Sequence, residues 1–513
     1  MREVIRRNKL FTGALAVGAF LRLLAVLGYP GALWYAGDSY VYLGAALRPE
    51  PDLSKATGYS FFLRLLLPFH SLTLVVVLQH LMGLADAVMI YALLRRANVS
   101  KKWATIAALP MLLDGYVIEN EHLIMTEALF TFLLMVAMLL VLWRPKITWW
   151  KALLAGLLLG YAAIVRTEGE AVLVVFPLFL LIRGWAWKTL RGWAMAVLMC
   201  VGILIPLGGY MAWFHQQHGS YNTTMAQGYF EWGRVSSFAN CAIIKPTGEL
   251  AKVCPTQAIV DRTPPGNYIW HAPYVHKDIN SIGGPVSPQG NSLLNRFAIK
   301  AVEAQPLDYI KTVVQGTLLS FGFPRIAYPG AGTTYYYSFH LHYKTAKHSL
   351  LPPKNHEWIP GGTAYSDWLS YGHQAPGVVN KVFAAPIAVY QRLIFTYGPL
   401  LALIFLVGLG GVFAVRRRGW TVRRAWDVRR LRLAWQVRGT SMLPWITAVT
   451  LLITPVAVAD FDYRYLIPAL PFACAAAGLA FAPSRKADAA APGPAGSSGS
   501  ASETEATVPD SVA

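Results

Sequence analysis

Apolar runs near twenty residues long recur along this chain, separated by short polar gaps, and each reads as a helix able to cross a bilayer. They fall at roughly 9–29, 70–94, 103–118, 126–143, 151–166, 169–184, 193–214, 382–415, 440–459 and 464–482. The pattern predicts an all-α polytopic membrane protein of about ten transmembrane helices. The 382–415 run is long enough to include an interfacial helix ahead of its span. Residues 215–381 break the rhythm: aromatics, Gly and Pro crowd a stretch too long for a passive connection, which predicts a large mixed extracytoplasmic loop. The expected organisation is therefore an N-terminal transmembrane module (1–214), an outer cap (215–381), C-terminal transmembrane helices (382–482) and a disordered cytoplasmic tail (483–513) rich in Ala, Pro, Gly and Ser. No internal repeat of the kind found in many secondary transporters is evident.

Composition agrees: 55% of residues are hydrophobic and only 14% charged, yet the net charge is +19. Location explains the charge. Basic residues cluster at Arg95-Arg96 with Lys101-Lys102, at Arg144-Lys146-Lys151, at Arg183-Lys188-Arg191 and from Arg416 to Arg438, each between paired apolar runs. That is the positive-inside pattern of cytoplasmic loops, and it excludes a nucleic-acid stripe. With Arg2, Arg6, Arg7 and Lys9 ahead of the first run, both termini are expected in the cytoplasm. A signal peptide is the alternative for the first run, but Arg22 interrupts its core and Gly28-Tyr29-Pro30-Gly31 is a poor cleavage site, so an uncleaved anchor is expected.

On this topology several ionisable residues gather at the outer surface. Asp38, in Gly37-Asp38-Ser39-Tyr40, follows the first span; Glu119, Glu121, His122 and Glu127 crowd the turn between the third and fourth. Arg166 and the stretch Asp460-Phe461-Asp462-Tyr463-Arg464-Tyr465 stand at two further outer turns. Charges at such depth are costly unless they face a cavity or one another. Read as continuous helix, Glu119, His122 and Thr126 share one face while Glu127 follows Leu123. A basic group beside carboxylates at a membrane surface suits a phosphate-bearing lipid headgroup; the plainer alternative is interfacial anchoring, with Tyr463 and Tyr465 in an aromatic belt. Asp460-x-Asp462 is not read as a nucleotide-sugar metal motif, because nucleotide donors are cytoplasmic. Arg22 and Asp86, both inside spans, are expected to form a buried ion pair. Cys241 and Cys254, about a dozen residues apart in the outer loop, are expected to form a disulfide, whereas Cys200 and Cys474 fall in apolar runs. Asn222-Thr223-Thr224 fits a glycosylation sequon, a weak pattern. His215, His218, Trp270-His271 and His276 match no standard metal spacing, so no metal ligands are assigned; cofactors are unknown and a divalent ion stays open.

In the order and membrane side of its motifs the chain resembles the GT-C glycosyltransferases that use polyprenyl-phosphate sugars, such as protein O-mannosyltransferases and aminoarabinose or arabinofuranosyl transferases. The resemblance rests on Gly37-Asp38-Ser39-Tyr40-Val41-Tyr42-Leu43, Thr57-Gly58-Tyr59-Ser60-Phe61-Phe62-Leu63, Met125-Thr126-Glu127-Ala128-Leu129-Phe130, Gly156-x-x-x-Gly160-x-x-x-x-x-Arg166 and Tyr463-Arg464-Tyr465-Leu466-x-Pro468-x-x-Pro471. It implies that Asp38 is the general base on an acceptor hydroxyl that attacks the anomeric carbon, inverting it as the lipid phosphate leaves. Arg166 or Arg464 would meet the charge growing on that phosphate. Glu127 best fits the family's second acidic position, with Glu119 and Glu121 competing; His122, Tyr463 and Tyr465 are candidate substrate contacts.

The implied partners are a polyprenyl-phosphate-linked sugar donor, a glycan, lipid or protein acceptor, and the bilayer, with no nucleic acid. Little Lys beside much Ala, Arg and Val suggests GC-rich coding, hence a bacterial plasma membrane and a decaprenyl or undecaprenyl carrier. Two rivals are a transporter or flippase of a lipid-linked sugar, whose essential polar residues belong near the midplane, and a non-catalytic envelope assembly protein.

Overall fold

In a computed structural model the described residues are 8–271, 279–342, 352–372, 378–413 and 428–483, and they belong to one compact unit, Met1–Pro483. The predicted tail lies outside them. The described chain is almost wholly helical; its one named sheet is the two-stranded hairpin Glu357–Ile359 and Gly362–Thr363.

Among the described residues four helices are long and apolar enough to cross a membrane: Lys9–Gly28, Leu72–Arg96, Leu190–His218 and Thr440–Val458. The pair Lys381–Leu393 and Gly398–Phe413 passes the same test only when taken together, and it is bent by 62° at its break, the form of a broken span or a re-entrant loop. Of the other predicted spans, 126–143, 151–166 and 464–482 fall on the shorter helices Glu127–Leu142, Trp149–Val165 and Leu466–Leu479, and 169–184 holds only the eight-residue helix Val175–Ile182 behind a 3-10 turn, so the expected count of ten is not matched by ten helices of spanning length among the described residues. The 103–118 run is divided at Asp114, whose carboxylate accepts from the amides of Tyr116 and Val117 to start a new helix, Gly115–Asn120.

Glu119 to Glu127 is not continuous helix. The helix stops at Asn120, residues 121–126 form a turn, and the next helix opens at Glu127, so the shared face of Glu119, His122 and Thr126 expected from helical spacing does not form. That turn pairs with the one after the first span: Leu33 donates to the His122 carbonyl at 3.0 Å and accepts from Ile124 at 3.1 Å. Gln79 fixes the turn from the Leu72–Arg96 helix, donating to the carbonyls of Glu121 (2.9 Å) and Leu123 (2.8 Å). The helix bearing Asp38 is thereby registered against the helix bearing Glu127.

Arg22 does not pair with Asp86. Its guanidinium forks onto Glu121, with Nε to Oε2 at 2.8 Å and Nη2 to Oε1 at 2.7 Å. Its remaining N–H groups donate to the carbonyls of Gly18, Met111 and Leu112 at 2.9–3.1 Å. Met111 and Leu112 end the Lys101–Leu113 helix, where carbonyls lack intrahelical donors, so Arg22 caps that helix from inside the bundle. Glu121 can enter because Gly83 leaves room: a Cβ there would lie 1.8 Å from Glu121 Oε1. His80 binds the same carboxylate at 2.8 Å and passes the chain on to His122 at 3.1 Å. Asp86 is buried, and its Oδ1 has no hydrogen-bond partner.

Within the 215–381 segment lies an apolar core of its own, built on Trp232, Phe238, Val253, Tyr268, Leu294 and Phe297. Cys241 and Cys254 are bonded to each other at its edge. Further along, the carboxamide of Gln391, on the bent pair, accepts from the Phe339 amide (2.9 Å) and donates to the Tyr337 carbonyl (2.8 Å), fixing where Tyr337 stands.

Candidate active site

Asp38 lies in the first turn of the helix Ala36–Leu47, where the helix dipole favours an anion. Its carboxylate is held from two sides: Lys55 Nζ is 2.9 Å from Oδ1, and Arg464 Nη1 is 2.8 Å from Oδ2. Burial alone would lift the Asp38 carboxyl, but Lys55 and Arg464 outweigh it and hold it well below the usual carboxylate range. Lys55 is aimed by an Asx turn, in which Asp52 Oδ1 accepts from the amides of Ser54 and Lys55, both at 2.9 Å.

Arg464 sits in the short helical turn Tyr463–Tyr465, which Asp462 caps by accepting from the Arg464 amide at 3.2 Å. The Arg464 guanidinium lies over the Tyr35 ring at 4.6 Å and over the Tyr465 ring at 5.2 Å. Tyr337, from the 215–381 segment, donates to Asp462, and its hydroxyl is 3.1 Å from that of Tyr35. Burial lifts Asp462 above the ordinary carboxylate range, against the opposing pull of Arg464 and Tyr337.

Arg166 reaches the same ring, 5.2 Å from the Tyr465 centroid. It is buried and donates to Glu127 Oε1 at 2.5 Å and to Thr126 at 3.1 Å, with Glu168 at 3.0 Å. Two guanidinium groups thus share one tyrosine ring, each balanced by carboxylates. Burial pushes the Tyr465 hydroxyl up to about 12, so it is a neutral donor near pH 7.

Asp38, Glu127, Arg166, Arg464 and Tyr465 therefore form one connected group drawn from four inter-helix turns. Glu121 and His122 belong to the Arg22 network instead, with His122 Nε2 2.9 Å from the Tyr29 carbonyl oxygen. Glu119 is buried with Oε2 unpartnered and senses the charge of Glu127 without touching the group. Tyr463 turns away, accepting at its hydroxyl from the Ile326 amide at 3.0 Å. Lys55 and Tyr35 are not evident from the sequence; Glu168 stands out there only as a carboxylate beside Arg166, and Tyr337 only as one of the Tyr335-Tyr336-Tyr337 rings that could stack on a sugar or pack in a cap. The sequence signals for them are slight: a lysine seven residues after a basic helix end, and one member of a tyrosine triplet.

His215 stacks on Tyr221 at 4.0 Å and His218 bonds to the Pro51 carbonyl at 2.6 Å. The side chains of Trp270, His271 and His276 lie outside the described residues. Among the described residues no group of three or more His, Cys, Asp or Glu is placed to hold a metal ion.

Residues 67–222 match the family described as dolichyl-phosphate-mannose-protein mannosyltransferase. The resemblance to the GT-C glycosyltransferases is borne out there. The matched stretch takes in Glu127 and Arg166 and leaves Asp38, Lys55 and residues 460–465 outside it. No curated protein matches the chain. Among solved structures, the S. cerevisiae protein O-mannosyltransferase complex bound to its sugar donor is similar at 14% identity and a TM-score of 0.35, over 50% of this chain and 38% of that one. The Archaeoglobus fulgidus oligosaccharyltransferase is similar at 11% identity in its peptide-tethered form (TM-score 0.36, 91% and 49% of the two chains) and its apo form (0.37, 92% and 50%). This chain thus spans half or less of the length of those structures.

Proposed function

We propose that the protein is an integral membrane glycosyltransferase that moves a sugar from a polyprenyl-phosphate carrier to an acceptor hydroxyl at the extracytoplasmic face of a bacterial plasma membrane. The observation that carries this reading is Asp38 bound by Arg464, with Arg166 against the same Tyr465 ring. The matched family's description names a lipid-phosphate mannose as donor and a protein as acceptor. We carry over the donor class, and take a protein hydroxyl as the first acceptor, with glycans and lipids as the alternatives.

In the step, the acceptor oxygen forms a bond to the anomeric carbon while the bond from that carbon to the phosphate oxygen breaks. The electron pair leaves with the phosphate, and the hydroxyl proton passes to the Asp38 carboxylate. A carboxylate held below its usual range is a weak base. That suffices when breaking of the bond to phosphate runs ahead of attack and the sugar carries oxocarbenium character, since the attacking hydroxyl then becomes acidic late. Arg464 and Arg166 supply oriented positive charge for the departing phosphate. A phosphate that draws Arg464 away from Asp38 would also strengthen the base as the donor binds.

The test is release of polyprenyl phosphate from polyprenyl-phosphate mannose by purified protein in detergent, comparing the unaltered chain with Asp38→Asn and following the melting of both. Loss of release with an intact melt supports the reading. Equal release by the two proteins removes Asp38 from the mechanism, and no release by either returns the transporter and assembly readings.

A further inference from the structure

We propose that the outer segment Arg325–Tyr328 is a clamp whose task is to position Asp462 and Arg464; this rests on the glycosyltransferase reading of the site those residues form. The loop between the Thr440–Val458 span and the Leu466–Leu479 helix carries both residues, and it is gripped from outside at several points. The Ile326 amide donates to the Tyr463 hydroxyl at 3.0 Å. Tyr328 donates to Asp460 Oδ1 at 2.7 Å, and its ring lies 5.7 Å from that of Phe461. Asp460 Oδ2 also accepts from the Gly266 amide at 2.8 Å, and Arg234 stands 3.8 Å from Oδ1.

Arg325 closes the grip. Its guanidinium lies 4.1 Å from the Tyr116 ring, 4.7 Å from Tyr463 and 5.0 Å from Phe395. Those rings come from three different places: the second outer turn, the catalytic loop and the break of the bent helix pair. One cation held among three aromatic faces therefore ties three turns together, with an orientation preference that an apolar plug would lack. Residues 460, 461 and 463 are thus fixed by the outer segment, while 462 and 464 are left to reach Tyr337 and Asp38. Catalysis through oriented charge is sensitive to displacements well under the length of a hydrogen bond, so a slack loop would leave Arg464 present and misplaced.

Arg325→Gln and Tyr328→Phe test the clamp, with Arg325→Lys as the conservative variant. Hydrogen–deuterium exchange of the amides at 461–465 should rise in the first two while exchange in the Leu72–Arg96 helix stays unchanged. With polyprenyl-phosphate mannose, kcat should fall about tenfold or more with a smaller change in KM, and Arg325→Lys should recover part of the loss. Unchanged exchange at 461–465 in both variants overturns the clamp, and so does faster exchange with full turnover. If the unaltered chain turns over no donor, the glycosyltransferase reading falls, and the exchange measurement still decides whether the clamp exists.

Discussion

Arg464 donates to Asp38 at 2.8 Å across 426 positions of sequence, which binds the turn before the Leu466–Leu479 helix to the one after Lys9–Gly28. Because its guanidinium is also stacked over Tyr35 at 4.6 Å, its plane as well as its charge is fixed. Lysine would keep the charge and lose the plane and the second donor. Arg464→Lys is expected to lower kcat/KM for polyprenyl-phosphate mannose by about 10²-fold, the scale set by losing one oriented donor to a developing anion. A melting curve close to that of the unaltered protein would separate this from misfolding, and a loss under threefold would take Arg464 out of the site.

The Asp38 carboxyl should be ionised throughout the neutral and mildly acidic range, because Lys55 and Arg464 outweigh burial and keep it low. The acid limb of the rate profile should then lie below the ordinary carboxylate range. Lys55→Met removes one of the two charges, so the limb should move to higher pH by about 1–3 units. The stability sign follows from the same shift. A depressed carboxyl contributes stability that is present above its unfolded value of about 3.9 and is lost as pH falls through its folded value. The variant should therefore lose less stability than the unaltered protein on acidification. An unmoved acid limb in Lys55→Met would show that the limb belongs to another group.

Much of this site was legible because charges stand out against an apolar background. Asp38, Glu127, Arg166 and Arg464 each lie where a hydrophobic run meets a turn, and an expected common membrane side was enough to group them. Choosing among Glu119, Glu121 and Glu127 was not legible by helical spacing, since the chain between them is a turn and spacing rules apply only within one helix. The contact of Tyr337 with Asp462 was not legible in its tyrosine triplet for a different reason: its place depends on Gln391, on a helix 54 residues later. The partner of Arg22 was missed because the signal was an absence, the side chain that Gly83 lacks.

Glu121 and Asp86 should behave oppositely. Glu121→Gln leaves the Arg22 charge buried without its counter-ion, a loss of about 3–5 kcal/mol when one partner of a buried pair is removed. Asp86→Asn removes a carboxylate whose Oδ1 has no hydrogen-bond partner, so the cost should be near zero. Thermal melting in detergent reads both, and a large drop for Asp86→Asn with none for Glu121→Gln would reverse the assignment of the pair.

The helices Trp149–Val165 and Leu190–His218 cross so closely that Gly156 and Gly160, at the contact, have no substitute. A Cβ at Gly156 would lie 2.1 Å from the Met199 carbonyl oxygen, and one at Gly160 would lie 2.3 Å from that of Ile203. Without a hydrophobic drive between helices in lipid, such close backbone approach is a main source of packing energy. Gly156→Ala must push the helices apart against backbone atoms that cannot rotate away, at a cost of about 1–3 kcal/mol. Gly208, on the Leu190–His218 helix, has nothing within 4 Å of its Cβ position. Gly208→Ala should leave the melting temperature unchanged or raise it, as alanine's helix propensity exceeds glycine's by about 1 kcal/mol. Because Arg166 follows directly on the helix that carries Gly156, the damage should also reach the site. Gly156→Ala is therefore expected to lower turnover of polyprenyl-phosphate mannose along with the melting temperature, and equal melting of the two alanine variants would show that the crossing tolerates a side chain.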